Sequence, residues 1–186
     1  MTHRHPTISF LGAALLAMLL VGSAVAAEKK EELVPTIDFE GGFGAFISLG
    51  SASKAPLEDG WHGRVGAAFH ITDRLDAELG LGVGQADRNQ DGGSNRTFVN
   101  GHGGLRYYVL GVEALARSRM YLMLGGSAIE NYASSGNTKG TVYLGPGVRL
   151  RAGDRSGLNI RLPFYLTPYD IDESLVIPTV NIFYSF

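Results

Sequence analysis

Apolar and polar residues alternate along this chain in short runs, and the alternation has a period of two. From Thr36 to Leu49, Ile37, Phe39, Phe43, Ala45, Ile47 and Leu49 share one face with Gly41. Asp38, Glu40, Gly42, Gly44, Phe46 and Ser48 share the other. The run Gly60–Ile71 sets Trp61, Val65, Ala67, Phe69 and Ile71 against His62, Arg64, Gly66, Ala68 and His70. Leu75–Gly84 sets Leu75, Ala77, Leu79, Leu81 and Val83 against Asp76, Glu78 and three glycines. A helix cannot satisfy a two-residue period, so each run predicts a β-strand.

Five further strands follow. Thr97–Val109 sets Val99, Leu105, Tyr107 and Val109 against Asn100, His102, Arg106 and Tyr108. Met120–Ile129 is apolar on both faces; Leu122, Leu124 and Ala128 are assigned outward. Thr138–Ala152 sets Val142, Leu144, Val148 and Leu150 against Tyr143, Arg149 and Arg151. Leu158–Leu166 sets its leucines, Ile160 and Phe164 against Asn159, Arg161 and Tyr165. The last strand, Val176–Phe186, sets Val176, Val180, Ile182, Tyr184 and Phe186 against Ile177, Thr179, Asn181, Phe183 and Ser185. Pro146, Pro163 and Pro178 lie inside strands, where each removes a ladder donor; bulges would accommodate them.

Eight is the smallest strand number that closes a membrane barrel. The predicted fold is therefore all-β, an eight-stranded antiparallel up-and-down transmembrane β-barrel. Its connections are expected to alternate. Thr72–Arg74 and 153–157 are short and suit periplasmic turns, while 51–59, 85–96 and 130–139 are longer, polar and suit extracellular loops. Gly111–Arg119 is long for a turn, and 167–174 is short for an outer loop.

Alternation alone does not say which face is inside, since a soluble lipocalin-like barrel turns its apolar face inward. Charge decides it. Glu40, Arg64, Asp76, Glu78, Arg106, Arg149 and Arg161 all fall on the polar faces, with both signs in similar measure. An eight-stranded barrel has room inside only for side chains, so these groups are expected to pair across the lumen. The other faces carry no formal charge in any strand core, as hydrocarbon demands. Phe39, Phe69, Tyr107, Tyr184 and Phe186 fall near strand ends at one expected lipid boundary, and Trp61 near the other.

The two ends of the chain agree with export to a membrane. His3, Arg4 and His5 precede an uncharged stretch, Ile8–Ala27, that closes on Ser23-Ala24-Val25-Ala26-Ala27. Small residues before the polar run Glu28–Glu32 read as a signal-peptide cleavage site. Residues 1–27 are therefore assigned to a cleaved signal peptide and 28–186 to the barrel domain. Of the 16 Lys and Arg, one lies in the signal, leaving 15 against 18 acidic residues. No basic stripe stands out, which argues against nucleic acid as a partner. The chain has no Cys, which excludes disulfides and a lipidated Cys.

The signal peptide, the eight alternating strands and the terminal Tyr184-Ser185-Phe186 together resemble the small outer-membrane β-barrel family typified by the OmpA barrel domain and OmpX. The resemblance covers the whole mature chain. It implies localisation in the outer membrane of a Gram-negative bacterium and a structural or surface-interaction role with a plugged lumen. It implies Tyr184 and Phe186 as an assembly signal read by the barrel-assembly machinery. The implied surroundings are outer-membrane lipid and lipopolysaccharide, with an extracellular ligand for the loops.

Other chemistries find less support. Asp87-Arg88-Asn89-Gln90-Asp91-Gly92 matches half a calcium loop, but Phe98 stands where the bidentate Glu belongs. His62, His70 and His102 face inward without a ligand cluster, so no metal or cofactor is assigned. A lipid A hydrolase of the PagL type needs a Ser–His pair near the C-terminus, and no His follows His102. The chain is thus read as a non-enzyme, with a narrow pore or a lipid A-modifying membrane enzyme as alternatives.

Overall fold

Strand pairing turns the alternation into a closed wall. A computed structural model describes residues 37–48, 60–86, 96–111, 116–130, 138–166 and 174–186. Its strands are β1 (Ile37–Ser48), β2 (Gly60–Thr72), β3 (Leu75–Ala86), β4 (Arg96–Leu110), β5 (Ser118–Glu130) and β6 (Thr138–Arg151). The short segments β7 (Ser156–Arg161), β8 (Phe164–Leu166), β9 (Leu175–Val176) and β10 (Thr179–Ser185) follow. β1 to β7 pair antiparallel in chain order, β7 pairs with β10, and β10 returns to β1. The Phe186 N–H donates to the Ile37 carbonyl at 2.9 Å, so the closing seam is bonded to its last residue.

Ten segments make eight staves. β7 and β8 are two parts of one stave, and β9 and β10 are two parts of the last. Their register does not shift at the breaks: Arg161 faces Gly147 and Phe164 faces Leu144. Likewise Thr179 faces Gly44 and Val176 faces Ile47. The expected bulges at the prolines are therefore absent. The register shifts instead between His70 and Thr72 and between Tyr108 and Leu110. Each proline keeps one bond of a normal pair. Leu162 donates to the Pro146 carbonyl at 3.0 Å, Ile177 to Pro163 at 3.1 Å and Ala45 to Pro178 at 3.1 Å. The reciprocal bond cannot form because proline has no N–H. Three consecutive stave boundaries, ending at the closing seam, are each missing one bond.

Two-residue alternation settles which side chains enter the lumen. Leu81, Leu105, Leu122, Leu124, Ile160 and Ile182 are exposed on the outer face. Tyr121, Met123 and Ile129 are buried inside, which fixes the phase of β5 as expected. Val176 is an exception, buried although its phase points outward. β5 begins at Ser118, so Arg119 belongs to a strand and not to the preceding turn.

At one end of the barrel the connections are tight. Thr72 faces Leu75, leaving only Asp73 and Arg74 in the turn. Ala152 and Gly153 both donate to the Ser156 carbonyl. The third connection at this end starts at Gly111, whose φ of 64° favours glycine. Phe39, Phe186 and Tyr184 gather at the rim here, with ring centroids 5.5 Å and 4.9 Å apart. The longer connections, including the half calcium motif at Asp87–Gly92, lie outside the described residues.

Inward glycines are slots for rings. A Cβ at Gly80 would meet the His102 ring, one at Gly84 the Phe98 ring and one at Gly147 the Tyr121 ring. Gly104 and Gly125 make the same room for Tyr143. In a lumen this narrow, a large side chain from one stave needs a missing one on its neighbour.

Candidate functional site

The seven charged residues expected in the lumen are all buried, none more than 6% exposed. Five of them, Glu40, Arg64, Glu78, Arg106 and Arg161, form a central network that crosses the barrel, while Asp76 and Arg149 belong to a second cluster. Arg106 on β4 is the hub of the central network. Its Nη1 and Nη2 donate to the two carboxylate oxygens of Glu40 at 2.6 and 2.8 Å, and its Nε donates to Glu78 at 2.6 Å. Arg161 donates to Glu78 Oε1 at 2.7 Å, as does the Tyr143 hydroxyl. Asn159 donates to Glu40 at 2.9 Å and accepts from Tyr121 at 2.7 Å. Arg64 approaches Glu40 only to 3.6 Å.

The second cluster lies toward the tight-turn end. Asp76 accepts from the Tyr108 hydroxyl at 2.6 Å and contacts His70 Nδ1 at 2.7 Å. Asp38 lies 3.4 Å from the other nitrogen of His70, pairs with Arg149 and accepts from Ser185. Arg149 stacks over Phe183, with its guanidinium carbon 3.9 Å from the ring centroid. Arg119 lies over Tyr108 at 3.4 Å and donates to the carbonyls of Gly111 and Asp73. The two clusters together take polar groups from all eight staves.

Above Arg64 the lining changes character. Arg64 meets His102 at 2.9 Å, and His62 meets Asn100 at 2.9 Å. His62 stacks on Phe98, which packs on Phe46 at 4.9 Å. Phe46, Phe98, Ala86, Ile129 and Leu175 form an apolar layer across this end of the lumen. His70 sits between two aspartates, while His62 and His102 lie toward the other end, held by Asn100 and Arg64. Among the described residues no His, Asp, Glu or Cys cluster could hold a metal ion.

Sequence reasoning did not single out Asp38, Arg119, Asn159, Tyr108, Tyr121 or Tyr143 as network members. Asp38 and Tyr108 each stand two positions from a chosen residue, on the same face, which was a usable signal. Arg119 carried none, because it was assigned to a turn. Tyr184 and Phe186 point outward at the rim and take no part in the lumen.

The chain resembles solved structures along its whole barrel. OprG from Pseudomonas aeruginosa superposes with a TM-score of 0.57 at 13% identity, covering 81% of this chain and 95% of that one. Its fold is that of the small outer-membrane β-barrels. The N-terminal barrel domain of Pseudomonas aeruginosa OprF gives 0.53 at 15% identity, covering 82% and 98%. Yersinia pestis Ail in a bilayer nanodisc gives 0.51 at 10% identity, covering 82% and 99%. No protein-family model matches the sequence, and a search of curated proteins gives no match. At these identities the likeness defines the eight-stranded transmembrane architecture and leaves activity to be argued from the site.

Proposed function

We propose that this chain is a closed outer-membrane barrel with a structural or surface-interaction role. One observation carries the reading: Arg106 bridges Glu40 and Glu78 at 2.6–2.8 Å in the middle of the lumen. Short, fully buried ion pairs of this kind hold the staves together and occupy the path an ion would take. The apolar outer face suits acyl chains, with lipopolysaccharide around one end and phospholipid around the other. Binding of an extracellular ligand falls to the loops, and recognition by the assembly machinery to Tyr184 and Phe186. An enzymatic role in lipid A modification has less support, because the mature chain's three histidines line the lumen and none faces the lipid.

Planar-bilayer recording tests the closure. The purified processed chain is expected to show no steady conductance, and Arg106→Ala is expected to show intermittent openings. A large steady conductance of the wild-type chain would refute the closed lumen. Lipid A from cells with and without the protein should have the same mass spectrum; a changed acyl pattern would favour the enzyme reading.

A further inference from the structure

The lumen holds a small cavity between the Arg106 network and the apolar layer. Its volume is about 10 Å³, and its lining includes His62, Arg64, His102, Arg161, Tyr165 and Thr179. That is room for about one water-sized or monatomic species. No carboxylate among the described residues lines it.

The surrounding groups are short of acceptors. Glu40 and Glu78, the nearest carboxylates in the network, already accept from Arg106, Asn159, Tyr143 and Arg161. The Nε and Nη1 atoms of both Arg64 and Arg161 are buried without a hydrogen-bond acceptor. His102 adds another donor. Arg64 can only donate, so the His102 Nε2 it meets must accept, and the ring proton must sit on Nδ1. That Nδ1 is also buried without a partner. The charge around the cavity leans the same way: Arg64, Arg106 and Arg161 share two carboxylates, Glu40 and Glu78.

We propose that this cavity binds one monatomic anion, of chloride size, held by Arg64 and Arg161 with His102 as a further donor. A water molecule accepts two hydrogen bonds and brings no charge. A halide accepts from several donors at once and cancels the surplus positive charge. Polyatomic anions such as sulfate are too large for the space. The ion would lock the upper lumen, completing in solution what the carboxylates complete below. The proposal rests on the closed-lumen reading, and separate experiments break each: a conducting barrel refutes closure, whereas a halide-free cavity in a non-conducting barrel refutes the anion alone.

Crystals of the processed chain soaked in sodium bromide provide the direct test. An anomalous peak is expected in the cavity, between the guanidinium groups of Arg64 and Arg161. In detergent, urea unfolding at constant ionic strength, with sodium gluconate replaced stepwise by sodium chloride, is expected to show saturable binding. Above the dissociation constant, each tenfold rise in chloride should raise the folded-to-unfolded ratio about tenfold. Thr179→Asp places a tethered carboxylate in the same cavity and should abolish the chloride dependence while leaving the barrel folded. No bromide peak together with halide-insensitive unfolding would overturn the proposal and leave a water-filled cavity. If Thr179→Asp does not fold, the wild-type soak and titration decide the matter unaided.

Discussion

Replacing Arg106 by Met should be the most damaging single change in the lumen. The side chain is fully buried, and three of its nitrogens donate to carboxylates at 2.6–2.8 Å. Taken singly, hydrogen bonds to charged groups contribute about 1.5–3 kcal/mol each, so the gross loss would be on the order of 5–9 kcal/mol. The net loss is smaller, because the partners are unequally stranded. Glu78 keeps Arg161 and Tyr143 at 2.7 Å. Glu40 keeps Asn159, but its remaining cation, Arg64, is 3.6 Å away. One carboxylate is thus left nearly uncompensated, which typically costs about 3–5 kcal/mol. The assay is urea unfolding in detergent micelles, followed by fluorescence of the chain's single tryptophan, Trp61, which faces outward at the start of β2. Arg106→Lys keeps the charge and gives up the bidentate fork, so it should lose roughly half as much. Adding Glu40→Gln to Arg106→Met should recover much of the loss by removing the stranded charge. A loss below about 1 kcal/mol for Arg106→Met would refute the idea that the network holds the barrel together.

Other changes probe the wall. Leu124→Arg puts a charge on the exposed apolar face and should cost about 2–4 kcal/mol near mid-membrane, read as a lower urea midpoint in lipid vesicles. Gly147→Ala drives a methyl group into the Tyr121 ring and should cost about 1–3 kcal/mol in the same titration, without changing membrane insertion. Pro146→Ala restores an N–H opposite the Leu162 carbonyl. The regained bond, about 0.5–1.5 kcal/mol, is partly offset by about 0.4–1 kcal/mol from a looser unfolded chain. Pro146→Ala should therefore be neutral to about 1 kcal/mol more stable, and clear destabilisation would mean that the missing bond was not the cost of that proline.

The wall was legible because strand alternation is local. Which of Leu79 and Glu78 faces lipid can be read from five neighbouring residues, whereas β5, apolar on both faces, gave only a preference for Leu122, Leu124 and Ala128 outward, which the burial of Tyr121 and Met123 settles. The strand count was legible for the same reason. The prolines were not, because their effect depends on which neighbour each stave offers. Pro146 and Pro178 both flank Leu162 in the register, a relation that spans three staves and has no trace in the local sequence. The lumen was legible only by composition. Charges of both signs on inward faces implied pairing, but Glu40 meets Arg106 across 66 positions and Asn159 across 119. Arg119 was missed because the strand boundary was placed two residues late, and a boundary error moves a residue from the lumen to a turn.

The distribution of charge along the chain ties the network to closure. Among the described residues, all four buried carboxylates stand on two staves, Asp38 and Glu40 on β1 and Asp76 and Glu78 on β3. Of the buried arginines only Arg64 lies between them, on β2; the rest are on β4 to β7. A half-assembled sheet of the first three staves would therefore carry four carboxylates against one arginine. β4 brings Arg106 beside Glu78 at once, but β1 is three staves away in the sheet. Glu40 gains Arg106 and Asn159 only when the sheet curls, and Asp38 gains Arg149 and Ser185 only as β10 meets β1. Carboxylates in a membrane cannot remain unpaired without large cost, so neutralisation and closure must advance together. The seam between β1 and β10 is missing one ladder bond at Pro178, and the Asp38–Ser185–Arg149 contacts fasten that same boundary from inside the lumen.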